Sequence, residues 1–345
     1  MFYCFIAIPG GWLADRTNRV TILSLACAIW SGATIACGLA TSYTQLVIAR
    51  MTVGFGEAGG VPPSYAIITD TFPPGQRGTA FGIFNLGPPI GAALGIAFGA
   101  TIAALFDWRD AFLAIGVVGV VTAILVRIVV REPKRGAADP APADAPPPTA
   151  KAPFWGTYGL GNFAVLFLIR EKGMPLSQIA LWYAIVVGIG MSAAMLVSGR
   201  VIDRLRRRGR LVYALGPAIS LAIAMPFYIA FVWAPGWPLA LVLLTIVNCF
   251  NYFYLSASVA LVQEEVRPDQ RVLSGALLLL VMNFIGLGLG PTYVGAASDW
   301  FRNHGWDHGL QLALYTLSPF YLIAIALFLT LARILRAEQN AKGAA

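Results

Sequence analysis

The sequence predicts an all-α, polytopic membrane protein, and three observations carry that prediction. Hydrophobic residues make up 58% of the 345 residues and charged residues only 12%, and the mean hydropathy is +0.73. A soluble domain has a more even balance. The apolar residues fall into runs close to the ~20 residues that a helix needs to cross a bilayer. Short polar turns separate these runs and hold most of the basic residues.

In chain order, the apolar runs predict about eleven helices. The first run, at 1–9, carries neither a basic leader nor a small-residue cleavage site, so we predict no signal peptide. The first half continues with runs at 20–40, 45–69, 79–105 and 110–130. The second half has runs at 154–169, 177–199, 211–233, 237–262, 273–298 and 310–335. The run at 154–169 is shorter than a spanning helix needs.

A polar, proline-rich stretch divides these runs into two halves. Residues 131–153 combine charged residues with Pro140, Pro142 and the triplet at 146–148, a composition that cannot pack a core. We therefore predict an N-terminal half at 1–130, a linker at 131–153, and a C-terminal half with its tail at 154–345. The pattern Gly-x-x-x-Asp-Arg occurs at 11–16 and again at 199–204, as parallel repeats of a transporter would give.

The basic residues predict the orientation in the membrane. The net charge of +8 does not indicate nucleic acid binding, because the basic residues lie in short connections rather than on one amphipathic face. Nineteen of the 24 fall on the side of the turn at 11–19, and four, Arg109, Arg170, Lys172 and Arg302, on the other. By the positive-inside rule the first side is cytoplasmic, and so is the C-terminus. The four cysteines lie in apolar runs, where we expect packing residues.

Two charged residues, Arg50 and Glu57, lie inside the apolar run at 45–69. A charge at the bilayer centre costs about 2.5–3.5 kcal/mol on insertion scales, so such residues normally face a bundle interior or a wet cavity. Seven residues are two helical turns, which places both on one face about 10 Å apart. We interpret Glu57 as a proton-coupling residue and Arg50 as the binding site of an anionic head group, because guanidinium suits phosphate and carboxylate. The alternative is a structural pair neutralised through water.

Polar side chains form a stripe on each of two other predicted helices. Asn248, Asn251 and Tyr254 recur at i, i+3 and i+6, and Tyr158 with Asn162 forms a similar pair. We interpret them as substrate-binding positions that line a cavity. The alternative is hydrogen bonding between helices, worth about 0.6 kcal/mol for each bond.

Small residues repeat along the run at 79–105. Gly87, Gly91, Gly95 and Gly99 occur at every fourth position, which predicts close packing of helix backbones. Pro88 and its neighbour Pro89 predict a kink in the same helix.

The sequence holds no nucleotide-binding Gly-rich loop, metal-ligand cluster or catalytic triad. His304 and His308 lie four residues apart in a predicted external loop, but they lack a third ligand for zinc. We therefore predict no enzyme, no cofactor and no metal.

Two motifs in the right order resemble those of the major facilitator superfamily. The run Gly-Trp-Leu-Ala-Asp-Arg-Thr-Asn-Arg at 11–19 resembles its signature loop between helices II and III, and 85–91 resembles its helix V Gly-Pro motif. Within the superfamily, the segment at 54–63 followed by Phe72-Pro73-Pro74 and Arg77-Gly78 resembles the spinster family of lipid and lysolipid transporters. The resemblance covers nearly the whole chain.

The resemblance implies two six-helix halves, with helices II to VI in 1–130 and VII to XII in 154–345. The chain then begins inside helix II, so helix I with its proton-coupling carboxylate, and the first part of helix VII, are expected to be missing. It also implies a cytoplasmic gate in which Asp15 meets the start of helix XI and Arg19 lies near Asp70. The gate residues are Gly11, Asp15, Arg16, Arg19, Asp70 and Arg77. The alternative for their charges is solvated topology signals.

These observations predict a secondary transporter that works by alternating access. We expect it to be proton-coupled and monomeric, to move an amphiphilic anionic solute such as a lysolipid, and to lie among the lipids of a bacterial inner (plasma) membrane. The alternatives are a drug or organic-anion transporter of the same superfamily, and a non-transporting receptor or inactive fragment.

Overall fold

A computed structural model describes residues 2–92, 94–95, 98, 106–139, 156–175, 178, 182–183, 185–206, 209–283, 286 and 289–343. For 2–7, 156–162, 187, 189 and 341–343 it describes the backbone only. Regular secondary structure in these ranges is helical throughout, and no strand occurs among the described residues. The predicted all-α class is therefore confirmed.

The helices with described bounds are numbered here in chain order. The first six are α1 (Phe2–Arg16), α2 (Arg19–Leu39), α3 (Tyr43–Glu57), α4 (Val61–Thr71), α5 (Arg77–Phe84) and α6 (Trp108–Val129). The next five are α7 (Gly156–Arg170), α8 (Ser192–Arg206), α9 (Val212–Trp233), α10 (Trp237–Asn251) and α11 (Phe253–Glu265). The last four are α12 (Arg271–Asn283), α13 (Gly290–Asn303), α14 (Gly309–Tyr315) and α15 (Ser318–Gly343).

Within the described residues, five helical segments are long and apolar enough to cross a membrane. They are Arg19–Leu39, Trp108–Val129, Val212–Trp233, Trp237–Glu265 and Gly309–Asn340. Four of the predicted runs, at 20–40, 110–130, 211–233 and 237–262, match these segments within about three residues, the scatter expected at helix ends. The last segment continues five residues beyond the run predicted to end at 335.

The run predicted at 45–69 is two helices rather than one. The chain leaves the helix after Glu57, and α4 begins at Val61 with prolines in its first turn, where a missing N–H costs nothing. A Cβ atom at Gly59 would lie 2.9 Å from the side chain of Ala26, and one at Gly60 would lie 2.9 Å from the Trp30 ring. The break therefore packs directly on α2, and only glycine fits there.

The chain divides into two compact units. The first consists of residues 1–74, 94–149 and 262–280, and the second of 75–93, 150–261 and 281–345. These units differ from the predicted halves, because 75–93 belongs to the second unit and 262–280 to the first. The start of α12 therefore packs with α1, α2 and α4, and α5 packs with α8.

In the first unit, α2 lies against α6 along a line of small residues. A Cβ atom at Gly38 would lie 2.8 Å from the carbonyl oxygen of Arg109, and one at Gly116 would lie 3.0 Å from that of Ser31. Small residues at these positions let the two backbones approach closely. The hydroxyl of Ser24 also donates a hydrogen bond of 3.0 Å to the Ala123 carbonyl.

In the second unit, α9 packs against α7, α10 and α15. Its Ser220 hydroxyl donates to the Phe250 carbonyl at 2.6 Å, and its Tyr228 ring stacks on Tyr321 of α15 with ring centroids 5.2 Å apart. Phe231 of the same helix meets Phe167 of α7 edge-on at 5.2 Å. Aromatic pairs of this kind stabilise the packing by about 0.5–1.5 kcal/mol beyond burial.

Close packing of α5 occurs one to two turns before the predicted glycine repeat. A Cβ atom at Gly82 would lie 2.6 Å from the carbonyl oxygen of Met195, and Gly78 and Gly199 meet backbone to backbone. At Gly87, Gly91 and Gly95 a Cβ atom would meet no atom within 4 Å in the described part of the chain. The packing role of these three glycines therefore stays a prediction, and the face of α5 that meets α8 carries Gly78 and Gly82. Gly99 lies outside the described residues.

The predicted interruption near Pro88 is present. The helix α5 ends at Phe84, and helical structure resumes at residue 87. A proline ring clashes with the carbonyl group four residues before it and offers it no N–H. For Pro88 that carbonyl is the one of Phe84, which explains where α5 ends.

Candidate functional site

Asp15 holds the first turn of α12 through both of its carboxylate oxygens. Oδ1 accepts a hydrogen bond of 3.0 Å from the N–H of Val272, and Oδ2 accepts one of 2.8 Å from that of Leu273. These N–H groups have no partner within their own helix, and the helix N-terminus favours negative charge. One carboxylate therefore satisfies two otherwise unpaired donors of α12.

Gly11 lies one helical turn before Asp15 and brings α1 close to the same helix. A Cβ atom there would lie 3.1 Å from Cβ of Ala276 and 3.3 Å from Cα of Leu273. Ala14, Ala66 and Val272 form a buried apolar contact beside it. The Gly-x-x-x-Asp spacing works because residues four apart lie on one face of a helix.

Asp70 is the centre of a buried ionic cluster. It accepts hydrogen bonds from the guanidinium groups of Arg19 and Arg271, and all three residues are at most 2% exposed. Arg19 also donates to the Pro268 carbonyl at 2.6 Å and lies 3.7 Å from Asp15. We call Asp15, Arg19, Asp70 and Arg271 the Asp70 cluster. Buried charges persist only when they are paired, and removal of one partner costs about 3–5 kcal/mol.

Burial makes the charged form of Asp15 costly, and neighbouring groups stabilise that form. Burial raises the pKa of Asp15 above its ordinary value, and hydrogen bonds from Leu273 and Val272 oppose that shift, as do the charges of Arg19 and Arg135. Since desolvation disfavours the charged form, these contacts offset part of the cost.

Arg16 and Arg77 are the two remaining predicted gate residues. Arg16 is exposed, and its guanidinium carbon lies 3.8 Å from the centre of the Trp12 ring. Arg77 is buried in the second unit as the first residue of α5. Within the first unit the structure therefore brings together Gly11, Asp15, Arg19 and Asp70.

The second unit contains the same helix contact, made by Asp203. Its Oδ1 accepts from the N–H of Gly78 at 2.9 Å and its Oδ2 from that of Thr79 at 2.6 Å. Both N–H groups belong to the first turn of α5, directly after Arg77, as Val272 and Leu273 follow Arg271. The sequence contained the signal for this contact in the repeated Gly-x-x-x-Asp-Arg pattern at 199–204, although Asp203 was not among the predicted gate residues.

Arg50 and Glu57 lie on α3, and both side chains are exposed. Glu57 is the last residue of the helix, at the break before α4. The guanidinium carbon of Arg50 lies 5.8 Å from the centre of the Phe112 ring, within cation–π range. Among the described ion pairs none joins Arg50 to Glu57. Neither charge is therefore enclosed by the described protein atoms.

The polar stripe predicted as substrate-binding is largely enclosed. Asn251 is 1% exposed and donates a hydrogen bond of 2.8 Å to the Tyr321 hydroxyl, while Tyr254 is 2% exposed. Asn248 is half-buried. The side chains of Tyr158 and Asn162 lie outside the described residues. For Asn251 the structure matches the alternative reading, a hydrogen bond between helices.

The two histidines lie apart from any candidate ligand set within the described residues, where no group of three or more His, Cys, Asp and Glu forms. Nδ1 of His308 lies 2.8 Å from the Glu171 carboxylate. Nδ1 of His304 lies 2.8 Å from the Trp300 carbonyl.

The chain combines apolar helices with two units, and in each unit an aspartate accepts hydrogen bonds from the first N–H groups of another helix. Parallel repeats of this kind are typical of polytopic transporters. The profile described as Major Facilitator Superfamily matches residues 1–291, so the chain belongs to that superfamily. It is a multi-pass membrane transporter and not an enzyme.

Within the superfamily the chain is similar to spinster proteins. It is similar to the crystal structure of a bacterial homologue of the human lysosomal transporter Spinster in an inward-facing, unoccupied conformation, with 28% identity and a TM-score of 0.65. The match covers 97% of this chain and 87% of that one. The human protein spinster homolog 1 is 31% identical over 194 residues, which are 52% of this chain and 35% of that relative.

Another relative is an MFS-type efflux pump of Mycolicibacterium smegmatis. It is 28% identical over 314 residues, which are 86% of this chain and 73% of that relative.

Proposed function

We propose that this transporter is proton-coupled and moves an amphiphilic solute with an anionic head group, such as a lysolipid, by alternating access. The observation that carries the proposal is the pair Arg50 and Glu57, two exposed charges on one helix of the apolar core region. An intramembrane charge is costly, so it is kept where a substrate or ion pathway uses it.

Arg50 is the proposed head-group site. Its planar guanidinium presents five donors that match two oxygens of a phosphate or carboxylate. The Phe112 ring at 5.8 Å supports the guanidinium from one side and leaves its donors free for a ligand. The spinster relatives support the lipid character of the cargo by similarity alone.

Glu57 is the proposed proton carrier. It ends α3 at the glycine break, where a small change of backbone geometry alters its distance from Arg50 and its access to water. Water and a nearby cation stabilise its charged form, and an apolar environment stabilises its protonated form. Movement between these environments would bind and release one proton in each cycle.

The Asp70 cluster is the proposed cytoplasmic gate. The contact of Asp15 with α12 would be made when the cytoplasmic side is closed and broken when it opens. The positive-inside rule supports a cytoplasmic position for this side and for the C-terminus, in the inner membrane of a bacterium. We further propose that the protein works as a monomer.

A second candidate is efflux of an amphiphilic drug. The similarity to the mycobacterial efflux pump favours it, because that match extends over 86% of this chain. The two candidates differ in the chemistry that Arg50 must recognise.

Binding to the purified protein tests the head-group role of Arg50. The ligands are lysophosphatidate, lysophosphatidylcholine and a monoacylglycerol with one common acyl chain, so that only head-group charge differs. We expect Arg50→Lys to weaken lysophosphatidate binding by about tenfold, since the fork geometry is lost while the charge stays. Arg50→Ala should weaken it further, and the neutral ligand should change little.

The matched control is Arg109→Lys, because Arg109 also lies over an aromatic ring, Trp108, at 4.4 Å. It should leave all three affinities unchanged. Equal loss for the three ligands in the Arg50 variants would mean that Arg50 is structural, and the anionic-cargo proposal would then be dropped.

A further inference from the structure

The first part of the predicted linker is packed against the first unit. Oε2 of Glu132 accepts a hydrogen bond of 2.9 Å from the N–H of Val20, in the first turn of α2. The guanidinium of Arg135 donates to the carbonyl of Asp15 and, at 3.0 Å, to that of Thr17. A carboxylate thus caps the start of α2 and a guanidinium caps the end of α1, as helix dipoles favour. We call residues 132–139 the strap.

The second part of the strap reaches the Asp70 cluster. The N–H of Gly136 donates to Oδ1 of Asp70 at 3.0 Å, and Oδ2 of Asp139 accepts from Nη2 of Arg271 at 2.7 Å. Gly136 has φ of +70°, and a Cβ atom there would lie 3.0 Å from the Pro268 ring. The turn therefore needs glycine, both for its backbone conformation and for its approach to the segment before α12.

Arg271 is fixed at three points, and the strap supplies one of them. Its Nη1 binds Asp70, its Nη2 binds Asp139, and its Nε donates to the Gln263 carbonyl at 3.3 Å. Because guanidinium is planar, three partners fix the orientation of the whole group. Arg271 is the first residue of α12, so its orientation bears on where that helix begins.

We propose that the strap is a working part of the gate, in which Gly136 and Asp139 are positioning residues that hold Arg271 on Asp70. This inference rests on the proposed gate function of the Asp70 cluster. Movement of the strap would then be transmitted to the first turn of α12. A linker without this role would serve only to connect the two halves.

Reactivity of a single cysteine in α12 tests the proposal without a transport assay. Ser274 is 8% exposed and its hydroxyl donates to the Arg271 carbonyl, so Ser274→Cys reports when the first turn of α12 becomes accessible. The protein carries this change in a background whose four native cysteines are replaced, and the rate of alkylation by a water-soluble maleimide is measured.

We expect Gly136→Ala and Asp139→Asn each to raise the alkylation rate by on the order of tenfold, because each weakens a contact to a charged group. Asp139→Glu should restore part of the protection, which a merely structural effect of the asparagine would not predict. Gly305→Ala is the matched control for the glycine. Gly305 has φ of +84°, and no described atom lies within 4 Å of a Cβ placed there. Alanine at Gly305 therefore strains the backbone as it does at Gly136 but disturbs no neighbouring contact, so the alkylation rate should stay at the parent value.

Two results would overturn the proposal, and they are distinct from failure of the transport function. If both strap variants react at the parent rate while Asp15→Asn reacts faster, the Asp70 cluster is a gate and the strap is not part of it. If Asp15→Asn also leaves the rate unchanged, both proposals fall. Fast reaction of the strap variants in a protein that moves no solute would retain the strap and refute the transport proposal.

Discussion

Asp70 is buried, and its negative charge binds two buried cations at once. Two buried guanidinium groups, those of Arg19 and Arg271, depend on its carboxylate, and each oxygen serves one of them. A neutral side chain of the same size would remove the charge that both guanidinium groups share and leave Arg19 with Asp15, at 3.7 Å, and Arg271 with Asp139 as acidic partners among the described contacts. The cost of such an arrangement exceeds that of losing a surface ion pair several-fold.

Replacement of Asp70 by Asn should lower the free energy of unfolding by about 3–5 kcal/mol, because each of two buried guanidinium groups loses a carboxylate partner. Denaturant unfolding in mixed micelles measures the change. Asp269→Asn is the matched control, since Asp269 pairs with Arg267 at 3.5 Å with both side chains more than half exposed. It should cost no more than about 1 kcal/mol. Equal effects of the two variants would show that the Asp70 cluster carries no special stability.

At the scale of helices, glycine determines where two backbones meet. In the second unit, α5 and α8 touch at Gly78 and Gly199, and the side chain of Asp203 reaches the first N–H groups of α5 from the same contact. A shift of α8 away from α5 would break both hydrogen bonds to Asp203. Packing and the polar contact therefore depend on the same two glycines.

Replacement of Gly199 by Ala should destabilise the protein by about 1–3 kcal/mol, because the new methyl group would overlap the backbone of α5. Gly91→Ala is the matched control, since its Cβ would meet no described atom within 4 Å. Alanine is the better helix former by about 0.5–1 kcal/mol, so the control should be neutral or slightly stabilising. Unfolding by denaturant measures both. A Gly199→Ala variant as stable as the control would contradict the close contact.

Some of these contacts were predictable from the sequence, and others had no local signal. The four-residue spacing places Gly11 and Asp15 on one helix face, and the same spacing recurs at Gly199 and Asp203. Spacing alone does not tell which glycines meet a neighbour, and the repeat from Gly87 to Gly95 did not indicate the close contacts that Gly78 and Gly82 make. The rule identifies small residues but does not identify the facing helix.

The contact of Asp139 with Arg271 could not be predicted from the sequence. The two residues are 132 positions apart, and Asp139 lies in a stretch whose alanine and proline content indicates a linker. Composition reflects a whole segment on average. Here hydrogen bonds from three charged residues, Glu132, Arg135 and Asp139, hold the first part of the predicted linker against the first unit. The break after Glu57 did have a local signal, because Pro62 and Pro63 follow a pair of glycines.

At the scale of the whole molecule, the chain is a transporter of the Major Facilitator Superfamily that is similar to a bacterial spinster homologue, with five described segments apolar enough to cross a membrane. In each unit an aspartate accepts hydrogen bonds from the first N–H groups of one helix, and the first unit also contains the buried Asp70 cluster. Arg50 and Glu57 on α3 form no ion pair with each other or with another residue among the described ion pairs, and Arg50 lies 5.8 Å from the centre of the Phe112 ring. That difference is why we propose a transport role for Arg50 and Glu57 and a gating role for the Asp70 cluster.

The central claim is that Glu57 couples transport to protons, and uptake into proteoliposomes tests it most directly. The purified protein is reconstituted, and uptake of a fluorescent lysophosphatidate is measured with and without a pH gradient, alongside exchange at equal pH. The control is Glu338→Gln, the same change at an exposed carboxylate of the C-terminal helix. We predict that the parent and the control respond to the gradient, whereas Glu57→Gln exchanges solute at equal pH but does not respond to the gradient. A Glu57→Gln protein that follows the gradient as the parent does would contradict the account.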